Sequence, residues 1–224
     1  MKILSKAFAK TFAKILVLPA ALCAFATATV PLSAQDIALP APQKTGGIPV
    51  MDALAKRATG RSFDPARELT PQQLSNLLWS AWGINRADGR RTAPSANNKQ
   101  ETDLYVLLKT GAYRYDAKAG ALVLVAAGDK RESGGVQPFV KDAPVTLVIV
   151  ADLSKLSQKT EAEKREVAAV NAGYISQNIY LHCASEGLAT GARMMLDRAK
   201  LATALSLKPT QWAVIANSVG YAKK

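Results

Sequence analysis

The chain has 224 residues, with 29 Lys and Arg against 17 Asp and Glu, a formal net charge of +12, two cysteines and a single histidine. One histidine excludes a multi-histidine zinc site and leaves little for a hydrolase of the Ser-His-Asp or Cys-His kind. The basic residues are dispersed, with no long run and no aromatic-interleaved stripe, so an anionic small ligand or an anionic envelope surface fits the charge better than nucleic acid does.

Residues 1–34 read as an export signal. Lys2, Lys6, Lys10 and Lys14 form a basic start without an acid, and residues 15–30 are apolar and small. Cleavage is expected after Ala34, where polar chain begins, or alternatively after Ala28, behind the small-x-small triplet Ala26-Thr27-Ala28. The apolar stretch is shorter than the ~20 residues a span needs, so no stable membrane span is expected after cleavage. Leu22 before Cys23 is too large for lipoprotein processing, so no lipid anchor is expected. Removing the signal takes away four of the 29 basic residues and none of the 17 acids, which leaves +8. The mature chain, periplasmic or secreted, then carries one thiol, Cys183, and must be stabilised by core burial without an internal disulfide.

Residues 35–48 are rich in Pro, Ala and Gly and predict a flexible lead-in to a single domain over residues 49–224. A short helix is predicted over residues 49–57, broken at residues 59–63. Thr70-Pro71-Gln72-Gln73 is a helix start with a capping pair, and Leu74, Leu77, Leu78, Ala81 and Trp82 share its buried face.

Residues 91–100, Arg-Thr-Ala-Pro-Ser-Ala-Asn-Asn-Lys-Gln, contain no apolar side chain larger than Ala and Pro. Such a loop is not core; its hydroxyl, amides and cations suit a polar ligand, and Pro94 fixes its course. Strands are predicted over residues 104–109, 112–115 and 121–125, as an antiparallel meander. The apolar run 145–151 predicts a strand buried on both faces.

Residues 161–186 predict the longest helix, with Val167, Val170, Tyr174, Leu181, Ala184 and Leu188 along one stripe and Ile175 and Ile179 off it. Its second half lacks a charged face, which predicts a central helix packed on the sheet and on a partner subunit. Gly187 ends it. His182 and Cys183 lie about 100° apart on that helix, so they do not make a nucleophile–base pair. A short helix over 197–205 and a strand over 212–216 complete the chain. The order predicts an α+β fold rather than β-α-β alternation. No Walker or Rossmann phosphate loop occurs.

The segment Arg57-Ala58-Thr59-Gly60-Arg61-Ser62-Phe63 resembles the N-terminal Arg-x-Ser/Thr-x-Arg-x-Phe element of nitroreductases. Pro94-Ser95-Ala96-Asn97-Asn98-Lys99-Gln100 is similar to their Pro-Ser-x-x-Asn-x-Gln flavin loop, and Glu186-Gly187-Leu188 to their Gly-Leu helix end. Residues 75–85 and the meander from Asp103 look like the branch related to thiazole- and oxazole-forming dehydrogenases. The resemblance covers residues 50–221. It implies a three-layer α+β fold, with a central, mainly antiparallel sheet flanked by helices, in a homodimer that binds FMN at the subunit interface.

On that resemblance, Arg57 and Arg61 hold the phosphate, a role suited to bidentate cations, and Thr59 adds a hydroxyl beside Ala58. Pro94, Ser95 and Asn98 meet the ring edge or the ribityl chain, and Gly191 and Arg193 approach the flavin from the partner. The activity implied is hydride transfer through FMN between a donor and a nitroaromatic, quinone or similar small organic substrate, with no fixed catalytic acid or base. The alternative is a non-catalytic flavin- or small-ligand-binding envelope protein on the same fold. The loops 86–91 and 130–137 are candidates to line a pocket.

Overall fold

Strand β5, Val145–Asp152, is the axis of the molecule: seven of its eight residues are buried, and only the last is partly open. In the computed structural model, which describes residues 35–223, it is the fifth strand of a seven-stranded sheet ordered β1-β4-β3-β2-β5-β7-β6, every pairing of which is antiparallel. The other strands are β1 (Ile37–Ala38), β2 (Thr102–Leu107), β3 (Gly111–Asp116), β4 (Ala121–Ala127), β6 (Ala189–Arg193) and β7 (Gln211–Gly220). The four α-helices are α1 (Val50–Lys56), α2 (Pro71–Trp82), α3 (Glu161–Glu186) and α4 (Arg198–Ala204). Residues 1–34, where the signal peptide is expected, lie outside the described residues. No helix among the described residues is long and apolar enough to cross a membrane.

Both faces of the sheet are covered, which makes three layers. On one face Leu77 and Leu78 of α2 and Ile175 and Ile179 of α3 pack on Leu104, Leu147 and Ile149. On the other, Leu201 and Leu205 close over Tyr105, Val148 and Val150. Alternate residues of β5 therefore feed two cores, so its apolar run has no polar face.

The helix ends follow their local chemistry. Thr70 and Gln73 form the expected capping box on α2, and Thr160 and Glu163 form a second on α3. Gly187 closes α3 in the left-handed conformation (φ 67°).

Three expectations are corrected. Residues 36–43 of the expected lead-in are held in place. Ile37 and Ala38 pair with the edge of β4, the Asp36 carboxylate accepts from Leu124 N (2.7 Å), and Ser75 Oγ donates to Pro40 O. The Pro-rich composition reflects an extended course laid over α2, with main-chain groups satisfied by side chains. The stripe read along α3 does not mark its buried face: it turns outward at its middle, while Val167 and Leu188 at its ends pack on the core. Val170 and Tyr174 are exposed, while Ala168, Ala172, Ile175, Ile179 and Cys183 are buried. Small residues at 168 and 172 let the helix sit close to the sheet, with Ile175 and Ile179 filling the core further along. Finally, β6 is a strand that the sequence pattern did not disclose, and β7 extends four residues beyond the run read as apolar, to Gly220.

Candidate functional site

The segment after α1 is drawn onto the free edge of β6. β6 pairs with β7 through one set of main-chain groups, and the opposite edge is capped from outside. Gly60 N donates to Thr190 O (2.8 Å), and Ala192 N donates to the Tyr180 hydroxyl (2.9 Å). The approach requires two glycines. A Cβ on Gly191 would lie 2.8 Å from Gly60 O, and one on Gly60 would lie 2.9 Å from the Ala189 Cβ. Phe63, buried, forms a bridge with Ala222 and anchors the far end of the segment.

This junction gathers Arg57, Thr59, Arg61 and Gly191 of one chain. The Arg57 guanidinium lies over the Tyr180 ring (5.3 Å), and the Tyr180 and Thr59 hydroxyls are hydrogen-bonded (3.1 Å). Arg57 and Arg61 have no carboxylate within ion-pair distance among the described residues. Ala58 is exposed between them and brings no polar group. Tyr180 is the organising residue that sequence reasoning missed. It lies more than a hundred positions from Thr59, and no local spacing connects the two.

Within one chain Gly191 and Arg193 sit in different surroundings. Gly191 lies against Gly60 and the Arg61 side chain of its own chain, so it belongs with the arginine segment rather than opposite it. Arg193 is buried and committed internally. Its Nε and Nη2 donate to Gly134 O (2.9 and 2.6 Å), and its Nη1 donates to Ser218 Oγ (3.0 Å). It has no acidic partner among the described residues, and burial lowers its pKa to about 10, so it stays charged at neutral pH as a structural brace. That brace fixes the loop 130–137, whose Glu132, Gly135 and Gln137 line a cavity of about 290 Å³ with Lys141 and Lys200.

The polar loop is a tight, strained turn. Asn97, Asn98 and Gln100 all have positive φ (51°, 51° and 43°), a region Asn tolerates better than Gln. Gln100 is held there from several sides. Its N–H donates to Ser95 Oγ (3.0 Å), its Oε1 accepts from Arg91 Nε (2.9 Å), and its Nε2 donates to Gly89 O and to Asn98 Oδ1. Arg91 also donates to Trp82 O and lies over the Trp82 ring, so the loop 86–91 braces the polar loop from behind. Glu101, fully buried, accepts from Asn171 Nδ2 (2.8 Å) and ties the loop exit to the middle of α3. Pro94 and Asn98 are exposed and Ser95 is half-buried. The Ser95 hydroxyl hydrogen and the Asn98 Nδ2 have no partner among the described residues. Strain held by so many bonds is a mark of a functional loop.

The two groups stand at opposite ends of the sheet. Glu101 meets Asp152 where β5 ends and β7 begins, whereas Phe63 meets Ala222 just beyond the other end of β7. Along α3 the two contacts, Asn171 with Glu101 and Tyr180 with Thr59, are set apart by ~14 Å of helix rise.

An antiparallel sheet clad by helices on both faces is the fold of the nitroreductases. The Nitroreductase family profile matches residues 54–221, and the chain belongs to that family. It is 27% identical over 153 residues to a nitroreductase-family relative from Methanocaldococcus jannaschii, covering 64% of this chain and 77% of the relative. A nitroreductase-family structure from Ralstonia eutropha JMP134 superposes with a TM-score of 0.81 at 39% identity, over 87% of this chain and 93% of that one. The Escherichia coli microcin synthetase McbBCD complex shares the fold, with a TM-score of 0.64 at 19% identity over 96% of this chain and 85% of that one.

Proposed function

We propose that the protein is an exported FMN-dependent oxidoreductase that works as a homodimer, reducing a nitroaromatic, quinone or similar small organic substrate. Membership of the family supports oxidoreductase activity, and a Staphylococcus epidermidis protein of the same fold is described as an NAD(P)H:FMN oxidoreductase, at 13% identity and a TM-score of 0.60 over 82% of this chain and 92% of that one. The observation that carries the reading is the arginine segment locked onto β6. Two guanidiniums without carboxylate partners and a glycine-walled approach suit a phosphate dianion at the end of a narrow ligand. With the Tyr180 O–H donated to Thr59 Oγ1, the Thr59 hydroxyl hydrogen is free for an anionic oxygen.

In this reading Arg57, Thr59 and Arg61 of one chain hold the phosphate end, with Gly191 alongside. Pro94, Ser95 and Asn98 of the other chain meet the ring or the ribityl chain. The two groups lie at opposite strand ends of one chain, which supports a site that draws on both copies. The exposed α3 stripe at Val170 and Tyr174, with Val50, Met51 and Leu54 of α1, is the apolar surface available for the partner. FMN, when bound, supplies two-electron transfer between hydride donor and acceptor. The chain orients it, and no side chain here is assigned as acid or base.

The test is an absorption spectrum of the purified protein with FMN, followed by anaerobic reduction and reoxidation by a nitroaromatic or a quinone. A bound flavin band near ~450 nm and reoxidation by the acceptor are expected. A folded dimer that takes no FMN defeats the reading, and a holo-protein that turns over no acceptor with any donor leaves the non-catalytic flavin carrier.

A further inference from the structure

Tyr180 and His182 point to opposite sides of α3, being about 200° apart around the helix. On the His182 side, an open groove of about 380 Å³ between α1, α2 and α3 adjoins a cavity of about 290 Å³ beneath residues 43–47, and the two share Trp79, Ser80, His182 and Ser185. Neither the arginine segment, the Pro94–Gln100 loop nor β6 lines them.

The hydrogen-bond geometry fixes the histidine tautomer. Ser80 Oγ lies 2.8 Å from Asn76 O, two acceptors that tolerate this distance only with the serine proton between them. Ser80 Oγ also lies 3.0 Å from His182 Nδ1, so the proton on that line belongs to the ring. Nε2 therefore carries a lone pair, and it is buried without a partner. Burial lowers the His182 pKa to about 4, which keeps the ring neutral.

The chain crossing above this histidine is pinned at two points only. Gln43 N donates to Asn76 Oδ1 (2.8 Å), and Ile48 N donates to Ser185 Oγ (3.1 Å). Lys44, Thr45, Gly46 and Gly47 between the pins make no main-chain hydrogen bond among the described residues, and both glycines have positive φ (100° and 78°). The roof can shift without breaking secondary structure, and a shift uncovers Nε2.

We propose that this roofed cavity is a second small-molecule site, which takes an uncharged hydroxy-aromatic of phenol size with its ring against Trp79 and its O–H donated to His182 Nε2. A neutral imidazole nitrogen accepts a proton donor and rejects an anion, which has none to give. Lys44, 5.9 Å from the Trp79 ring centre, disfavours a cation at the same ring. An aliphatic alcohol lacks the flat face that Trp79 matches. The site shares no residue with the arginine segment or the Pro94–Gln100 loop, but Val50 borders both the cavity and the surface offered to the partner, so the site lies at the rim of that surface.

His182 is the sole histidine of the chain, so ¹⁵N-histidine labelling gives one pair of ring-nitrogen signals. The protein expressed from the full chain is titrated with phenol and, separately, with toluene, which has the same size and no donor. The expected result is a saturable shift of the unprotonated Nε2 resonance with phenol and at least ten-fold weaker binding of toluene. The preference should vanish in His182→Phe, with toluene binding retained as evidence of an intact cavity. The proposal is overturned if Nε2 proves to be the protonated nitrogen, if toluene matches phenol, or if phenol gives no saturable shift. It is also overturned if added FMN displaces phenol, which would put phenol in the flavin site, or if the shift follows protein concentration alone, which would mean a second copy fills the groove. The flavin band, read in the same samples, reports the FMN reading independently.

Discussion

Arg57 and Arg193 show how one residue type serves two ends. Arg57 is half-exposed over an aromatic ring with its guanidinium edge free of carboxylates, and Arg193 is buried with its donors spent on Gly134 O and Ser218 Oγ. Arg57→Ala is expected to weaken FMN by ~1.5–3 kcal/mol with little change in the urea midpoint, because charge-assisted bonds to the phosphate are lost. Arg193→Met should do the reverse, lowering the folding free energy by about 3 kcal/mol through unpaired buried acceptors. Flavin titration and urea unfolding of both variants check the pair. At His182 the folded-state pKa lies near 4, below the ordinary value of 6.5. The unfolded chain thus takes up a proton first as pH falls, so stability is full above about pH 6.5 and declines between 6.5 and 4, by about 3 kcal/mol in all. Urea unfolding at pH 7 and pH 4.5 should show this decline in the native protein and a much smaller one in His182→Phe.

The elements differ in how far the sequence revealed them. α2 and the ends of α3 were legible because capping is local: Thr70 with Gln73, Thr160 with Glu163 and a terminal Gly187 are complete within a few residues. The outward orientation of α3 was not legible, because periodicity reports that a stripe exists, not what covers it. Val170 and Tyr174 satisfy a helical period whether they face the sheet or a partner. β6 escaped because Ala-Thr-Gly-Ala-Arg carries little strand propensity and is held by the Gly60 contact from far upstream. The site divides in the same way: its motifs were readable, but the same-chain contact of Gly60 with Gly191 and the part played by Tyr180 depend on the fold. If the outer stripe is the seam between copies, Tyr174→Asp should shift the protein to a monomer in sedimentation while leaving its circular dichroism unchanged. Flavin should be lost along with the dimer.

At the scale of the whole molecule, the sheet acts as a spacer. Its longest strand, β7, runs from the end that carries the polar loop to the end that carries the arginines, and β5 beside it is buried on both faces and rigid. If the proposed site is shared between two copies, neither half can migrate toward the other without unpairing β7 from β5. FMN affinity should therefore fall on dilution through the dimer dissociation range, which fluorescence of released flavin at decreasing protein concentration will reveal.

If each site takes its arginines from one copy and its loop from the other, as proposed, the arrangement has a genetic reading. A chain disabled at Arg57 keeps a sound loop, and a chain disabled at Asn98 keeps a sound arginine segment. Each alone builds two crippled sites. Mixed at random, about half the dimers pair one of each, and by two-fold symmetry every such dimer holds one wholly intact site and one doubly damaged one, so about a quarter of all sites recover. Two inactive alleles of this gene, expressed together, should complement.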